Sequence, residues 1–374
     1  MIKKGIYIFV ILLLILPIIQ QLTNIPNIKN LFGAFTPAPE PKFTLEKWFT
    51  NKYQEETEAY VNEHFGFRNS LVRMHNQIQY SIFNEAHARG VIVGKKDYLY
   101  ELNYIKAYYG TDFKGYDSID EKVKKIALIR DTLEKLGVHV IPIFACGKGS
   151  FFPEFIPDSM RTVKKITNYE VFTQDFKKYA IPYIDFHSYI RSIKGKSKYP
   201  IYTKYGIHWS QNTMVLVADS ILKYIEKNYS YSMPKIKITH LTESKIFQGT
   251  DFDIAQGMNL LYYPSDSILA YPEFTYINPK QIHKPKVITI ADSYWWGIYN
   301  YGIPQTCFDT HQFWYYYNSI YPEINNSALT ISDINIKKEI ENQNFIFIMA
   351  TDATLPDIGW GFINTVYNIY YSKK

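Results

Sequence analysis

The stretch SIDEKVKKIALIRDTLEKLG, Ser118 to Gly137, runs directly into VHVIPIFA, Val138 to Ala145, and this junction decides the fold class. From Ser118 to Leu136 charged residues keep to one face and Val, Ile and Leu to the other, as in an amphipathic helix, and Gly137 ends it. Val138 to Ala145 is an apolar run of strand length, so the pair predicts a helix followed by a buried parallel strand. The alternation returns as a helix around Thr167 to Tyr179 before IPYID, Ile181 to Asp185. It returns again at the strands VITIA, Val287 to Ala291, and FIFIMAT, Phe345 to Thr351. The expected fold is α/β, a sandwich on a mainly parallel central sheet. Ligands in such folds bind at the carboxyl ends of the strands, which directs the search to the segments after Ala145, Asp185, Ala291 and Thr351.

The chain has 374 residues, 47% hydrophobic and 20% charged, enough for one large domain or two small ones, and this excludes disorder and collagen-like architectures. Its formal net charge of +6 is spread along the chain, which argues against a nucleic-acid binder. The 34 Tyr fit either sugar-stacking surfaces or the composition of an AT-biased genome. Cys146 and Cys307 are too few for a disulfide framework or a Cys-based zinc site and read as buried free thiols. No Gly-rich phosphate loop and no close histidine pair is present, so no metal, nucleotide or other cofactor is expected.

At the amino terminus Lys3 and Lys4 precede GIYIFVILLLILPII, Gly5 to Ile19, which carries no charge. The run reads as an uncleaved membrane anchor over 1–22 with its start in the cytoplasm, so the body lies on the extracytoplasmic or periplasmic side; a cleaved signal is the alternative. Residues 23–42, with Pro26, Gly33, Pro37, Pro39 and Pro41, read as a linker, and 43–374 as the domain. Glu46 to Phe83 has helical spacing interrupted at His64-Phe65-Gly66-Phe67-Arg68-Asn69, with Asn69 or Ser70 expected to cap a helix restarting at Leu71. Val91 to Gly94 reads as a short strand turning at Lys95-Lys96-Asp97.

Ser293 follows the strand Val287 to Ala291 in Ala291-Asp292-Ser293-Tyr294, the position of a nucleophile whose neighbouring amides face a developing oxyanion; the bland alternative is a helix N-cap. His208, in Tyr205-Gly206-Ile207-His208-Trp209-Ser210, precedes an amphipathic helix from Gln211 to Glu226 that Ser210 caps. A loop imidazole among aromatics suits a general base for a serine, or a structural histidine.

Together these two segments resemble the SGNH-hydrolase-like domain of the alginate O-acetylation proteins, the AlgJ and AlgX type, from about Phe43 to the last strand. Asn62 to Arg68 is similar to the family's early "hFgfR" helix, Val93 to Tyr100 to its "vGkdgwLf" turn, and Ile141 to Pro153 to its "vvP.K..yp" strand and loop. Asp251-Phe252-Asp253-Ile254 through Asn259-Leu260 also looks like a family segment, with no role assigned. The resemblance implies an acetyl-accepting Ser293 and a base at His208, in an order that reverses that of ordinary SGNH esterases. The family's aspartate two residues before the histidine is replaced by Gly206. Three accounts follow: a carboxylate from another strand end, Asp185 or Asp352, restores the triad; the enzyme runs on a dyad; or the protein only binds glycan. The Ser293 amide is the candidate oxyanion donor. Lys148 is an electrostatic helper or a solvated loop lysine. Trp209, Trp295 and Trp296, with Phe313 to Tyr317, form a sugar-stacking rim or ordinary packing.

What the resemblance implies is O-acetylation of an exported polysaccharide, with acetyl groups supplied across the membrane by a multi-pass acyltransferase. An acetyl esterase and a noncatalytic polysaccharide-binding protein are the alternatives. The chain's end suggests no appended carbohydrate-binding module, an arrangement closer to AlgJ than to AlgX.

Overall fold

The computed structural model describes residues 2–33, 36–263, 266–277, 283–324 and 327–372. They form two compact units, one of 1–91 with 255–264 and one of 92–254 with 265–374, so the expected boundary at 42 falls inside the first unit.

The first unit contains the apolar helix Ile2–Thr23, long and apolar enough to cross a membrane, and the helices Lys52–His64 and Arg68–Ile78. The helical break lies where the sequence puts it, but the second helix starts three residues early. Phe67 takes a left-handed conformation (φ 62°) and its carbonyl accepts from Leu71, so neither Asn69 nor Ser70 is the cap. The described part of 24–42 has no helix or strand, yet it is strapped down. The Asn259 side chain bonds both the amide and the carbonyl of Phe32, at 2.7 and 3.0 Å, and Glu63 accepts from the Ala38 amide.

In the second unit, β1 (His139–Ala145), β2 (Ile184–Asp185), β3 (Val287–Ala291), β4 (His311–Tyr315), β5 (Ser319–Ile324), β6 (Ser327–Thr330) and β7 (Phe345–Thr351) build one sheet. Its order is β6-β5-β4-β3-β7-β1-β2. The pairings from β4 across to β2 are parallel, and β5 and β6 add an antiparallel edge. Every residue of β3 and β7 is buried, as expected of strands covered on both faces. Alternation along β7 divides the core. Ile346 and Ile348 pack with Ile119, Val123, Ile126, Ile129 and Leu133 of the helix Tyr116–Glu134, whereas Phe347 meets Trp295 and Phe308 on the other face. The helix Asn168–Lys178 joins the first of these faces, its start fixed by a Thr167–Glu170 capping box. The fold is the α/β sandwich on a mainly parallel sheet expected from the alternation.

The sequence gives no sign of the antiparallel ribbon Lys235–Ser244 with Leu269–Ile277, because most residues of its first strand stay partly or fully exposed and no apolar run announces it.

The register aligns the carboxyl ends of the parallel strands. Ala145 pairs with Thr351, Ala291 with both Met349 and Tyr315, and Asp185 with Phe144. The segments after these residues therefore share one edge. Truncating the central strand at Ile348→Ala, which empties a fully buried site, should cost about 2–5 kcal/mol, read as a lower denaturant midpoint with an unchanged slope.

Candidate active site

Ser293 stands two residues beyond β3, ahead of the short helix Tyr294–Asn300. Its position is set by the residue before it. Asp292 is buried; one carboxylate oxygen accepts from the Tyr294 amide at 3.0 Å, the other from the Thr351 amide at 3.0 Å and the Thr354 hydroxyl at 2.6 Å. A buried carboxylate needs such donors, and these tie the end of β3 to the end of β7. Asp292 thus fixes the turn that presents Ser293. Tyr316, just beyond β4 on a left-handed residue (φ 49°), brings its phenol close to Ser293.

His208 lies in the loop before the helix Gln211–Asn228, which Ser210 caps through the Thr213 amide as its sequence suggests. The imidazole is 8% exposed, with Nε2 2.9 Å from Ser293 Oγ. Three contacts hold the loop. The Tyr294 hydroxyl donates to the Ile207 carbonyl at 2.6 Å, Ser210 N donates to the Ile201 carbonyl at 2.8 Å, and Lys148 Nζ donates to the carbonyls of Lys204 and Gly206 at 2.8 and 2.7 Å.

The carboxylate against His208 belongs to Asp253, first residue of the short helix Asp253–Gly257. Its Oδ2 is 2.6 Å from Nδ1, and its Oδ1 accepts from the amides of Ile207 and Ile254 at 2.9 and 2.8 Å. The same carboxylate thus grips both the ring and the backbone that carries it. Gly206 makes this approach possible. A Cβ there would sit 2.6 Å from the Thr250 carbonyl oxygen and 2.8 Å from the Asp251 carbonyl carbon, so the segment delivering Asp253 fills the space a side chain at 206 needs. Asp251, two residues away, is buried, and burial pushes its carboxyl up to about 7.

Burial alone would push the His208 pKa down. The charge of Asp253, its hydrogen bond, and the charges of Asp292 and Glu101 outweigh that, and the net shift is upward from 6.5. Burial and the neighbouring Asp253 charge also raise Glu101.

Asp185 and Asp352, the sequence-based candidates for the orienting acid, are committed elsewhere. Asp185 caps the helix Phe186–Ser192 through the Ser188 amide at 2.8 Å and accepts from the Tyr169 hydroxyl at 2.8 Å. Asp352 accepts from Ser150 and lies 3.6 Å from His187, with which it lines a cavity of about 80 Å³. Lys148 is neither a solvated lysine nor a substrate contact, because it is fully buried beneath the His208 loop. Trp209 and Trp295 are also buried and present no stacking face; Trp296, partly exposed, packs edge-on against Phe313, Tyr315 and Tyr321. Cys146 and Cys307 are buried free thiols.

The family model of the SGNH hydrolase-like domain of acetyltransferase AlgX matches residues 91–249. This stretch, under half of the chain, is similar to an SGNH hydrolase-like domain of the AlgX type. It contains His208 and ends short of Asp253 and Ser293. No curated protein matches the chain. Among solved structures, the O-acetyltransferase domain of Pseudomonas putida AlgJ is similar over 75% of this chain and 99% of its own, with 12% identity and a TM-score of 0.49. Pseudomonas aeruginosa AlgX gives 0.44 at 12% identity, over 71% of this chain and 67% of its own. Bacillus cereus PatB1, solved with a sulfonyl adduct, gives 0.42 at 12% identity over 65% and 91%.

Asp253→Asn removes a charge that raises His208, so the imidazole should titrate at lower pH in that variant by NMR. Asp185→Asn and Asp352→Asn should leave its midpoint in place.

Proposed function

We propose that the protein is an O-acetyltransferase acting through an acetyl-Ser293 intermediate, with an exported polysaccharide as acceptor. The observation that carries this reading is the hydrogen-bonded chain Asp253–His208–Ser293 at the carboxyl edge of the sheet, with separations of 2.6 and 2.9 Å. The AlgX-type domain supplies the choice of acetyl as the group transferred.

In this reading Asp253 holds the imidazole with its proton on Nδ1, leaving Nε2 to take the Ser293 hydroxyl proton as Oγ attacks the acetyl carbonyl of the donor. The tetrahedral oxyanion is received by the Ser293 amide. His208 then returns the proton to the departing donor group, leaving acetyl on Ser293 Oγ. A sugar hydroxyl gives its proton to Nε2, attacks the acetyl carbonyl and leaves as the O-acetyl ester, and His208 hands the proton back to Oγ. A multi-pass membrane acyltransferase delivers the acetyl group to this side of the membrane.

The 2.6 Å contact of Asp253 with Nδ1 supports a triad over the dyad and noncatalytic readings that Gly206 suggests.

The test is acetyl release from an activated acetyl ester by the full chain in detergent, with mass spectrometry of the trapped enzyme. A 42 Da adduct on Ser293, the ordinary mass of an acetyl group, is expected. Ser293→Ala and His208→Ala should fall to background, and Asp253→Asn should lose on the order of 10²–10⁴-fold. Release that persists in Ser293→Ala, or a folded wild type at background, would remove the proposal. Because the base must be neutral and His208 is shifted upward, the rate should climb with pH through a midpoint above 6.5. That midpoint should move down in Asp253→Asn.

A further inference from the structure

The segment His64-Phe65-Gly66-Phe67-Arg68 has no part in the chemistry above, and it receives the end of the amino-terminal helix. Gln20, in the last turn of Ile2–Thr23, is buried while the apolar residues before it are almost all bare. Both ends of its side-chain amide are used: Oε1 accepts from the Phe67 amide at 2.9 Å, and Nε2 donates to the Pro26 carbonyl at 3.1 Å. One turn earlier the Pro17 carbonyl lies against Gly66, where any Cβ would overlap it. Pro17 is two residues before Ile19, the end of the uncharged run, or about 3 Å along a helix. Gly66 therefore sits at the depth where hydrocarbon gives way to headgroups.

The helix Arg68–Ile78 and the turn Gln79–Phe83 lead away from that contact. Leu71, Met74, Ile78 and Ile82 recur at spacings of three, four and four, one stripe of a helix, and are 42, 47, 43 and 69% exposed. Elsewhere around the same helix, side chains are engaged. Asn76 is buried and donates to the Met258 carbonyl at 2.8 Å, and the Arg73 guanidinium donates to the carbonyls of Lys29 and Asn30 at 3.0 and 2.6 Å. An apolar stripe opposite polar groups is the pattern of a helix lying in the plane of a bilayer surface.

We propose that the amino-terminal helix stays on the chain and that the stripe Leu71, Met74, Ile78 and Ile82 lies in the phospholipid interface beside it. The first unit then meets the membrane at two places. Continuity decides the occupant, since the helix bearing the stripe starts at the residue after Phe67, the partner of the spanning helix's last turn. Removal of the spanning helix as a signal would strip the Phe67 amide and the Pro26 carbonyl of their partner. The inference is independent of the chemistry at Ser293.

The test uses the full chain reconstituted in phosphatidylethanolamine and phosphatidylglycerol vesicles, with a nitroxide on Met74→Cys or, separately, Ile78→Cys. The two native cysteines are buried and do not compete for label. Lys124→Cys, at a side chain 56% exposed, is the aqueous reference. An intact mass that includes residues 1–22 is expected, with labels at 74 and 78 several-fold more accessible to oxygen than to a water-soluble nickel chelate. A mass beginning after about Thr23 would overturn the proposal. So would labels that the chelate reaches as readily as at 124, or labels shielded from both reagents, which would mark a protein partner in place of lipid.

Discussion

The hydrogen bond between Asp253 and His208 is the constraint on which the site depends. Burial disfavours the charged imidazole that forms when the base takes a proton, and a base with no partner at Nδ1 has no fixed tautomer. One carboxylate answers both problems: Oδ2 takes Nδ1 and Oδ1 takes the Ile207 amide, so ring and loop cannot move independently. The remainder of the edge serves that contact. Lys148 holds the loop from beneath by two carbonyls, Tyr294 ties it to the helix behind the nucleophile, and Asp292 pins β3 to β7 so that Ser293 meets Nε2 at 2.9 Å.

The geometry gives a physical meaning to the glycine two residues before His208. An acid at that position would be local in sequence and would need room for its own side chain. Here the room is taken by the Thr250–Asp251 backbone, and the acid comes from 45 residues further along the chain. The missing side chain at 206 leaves the space through which the segment ahead of Asp253 passes.

Local features of this chain were legible in the sequence, and distant contacts were not. The strands at Val287 and Phe345 are continuous apolar runs, the helix before β1 has a clear period, and Ser210 is a recognisable cap; each is decided by neighbours within a few residues. Ser293 and His208 stood out for the same reason, one at a strand end and one at a helix mouth. Asp253 lay in the family-like segment Asp251 to Leu260 but drew no role, since a carboxylate opening a short helix is ordinary and only tertiary packing brings it to Nδ1. Asp185 and Asp352 do stand at strand ends as expected. There a helix start and the Ser150–His187 pair occupy them. Trp209 and Trp295 take the second of their two readings, ordinary packing, a choice aromatic content could not make because it does not say which face is covered.

The most direct measurement of this account is the acetyl-release rate of the double variant Gly206→Asp/Asp253→Asn beside Asp253→Asn, with circular dichroism to confirm folding. If Asp253 is the orienting acid and position 206 has no room for one, the double variant stays as slow as Asp253→Asn or slower. Recovery of the wild-type rate by the double variant would contradict it, because an aspartate at 206 would then reach Nδ1 and the glycine there would have no spatial role.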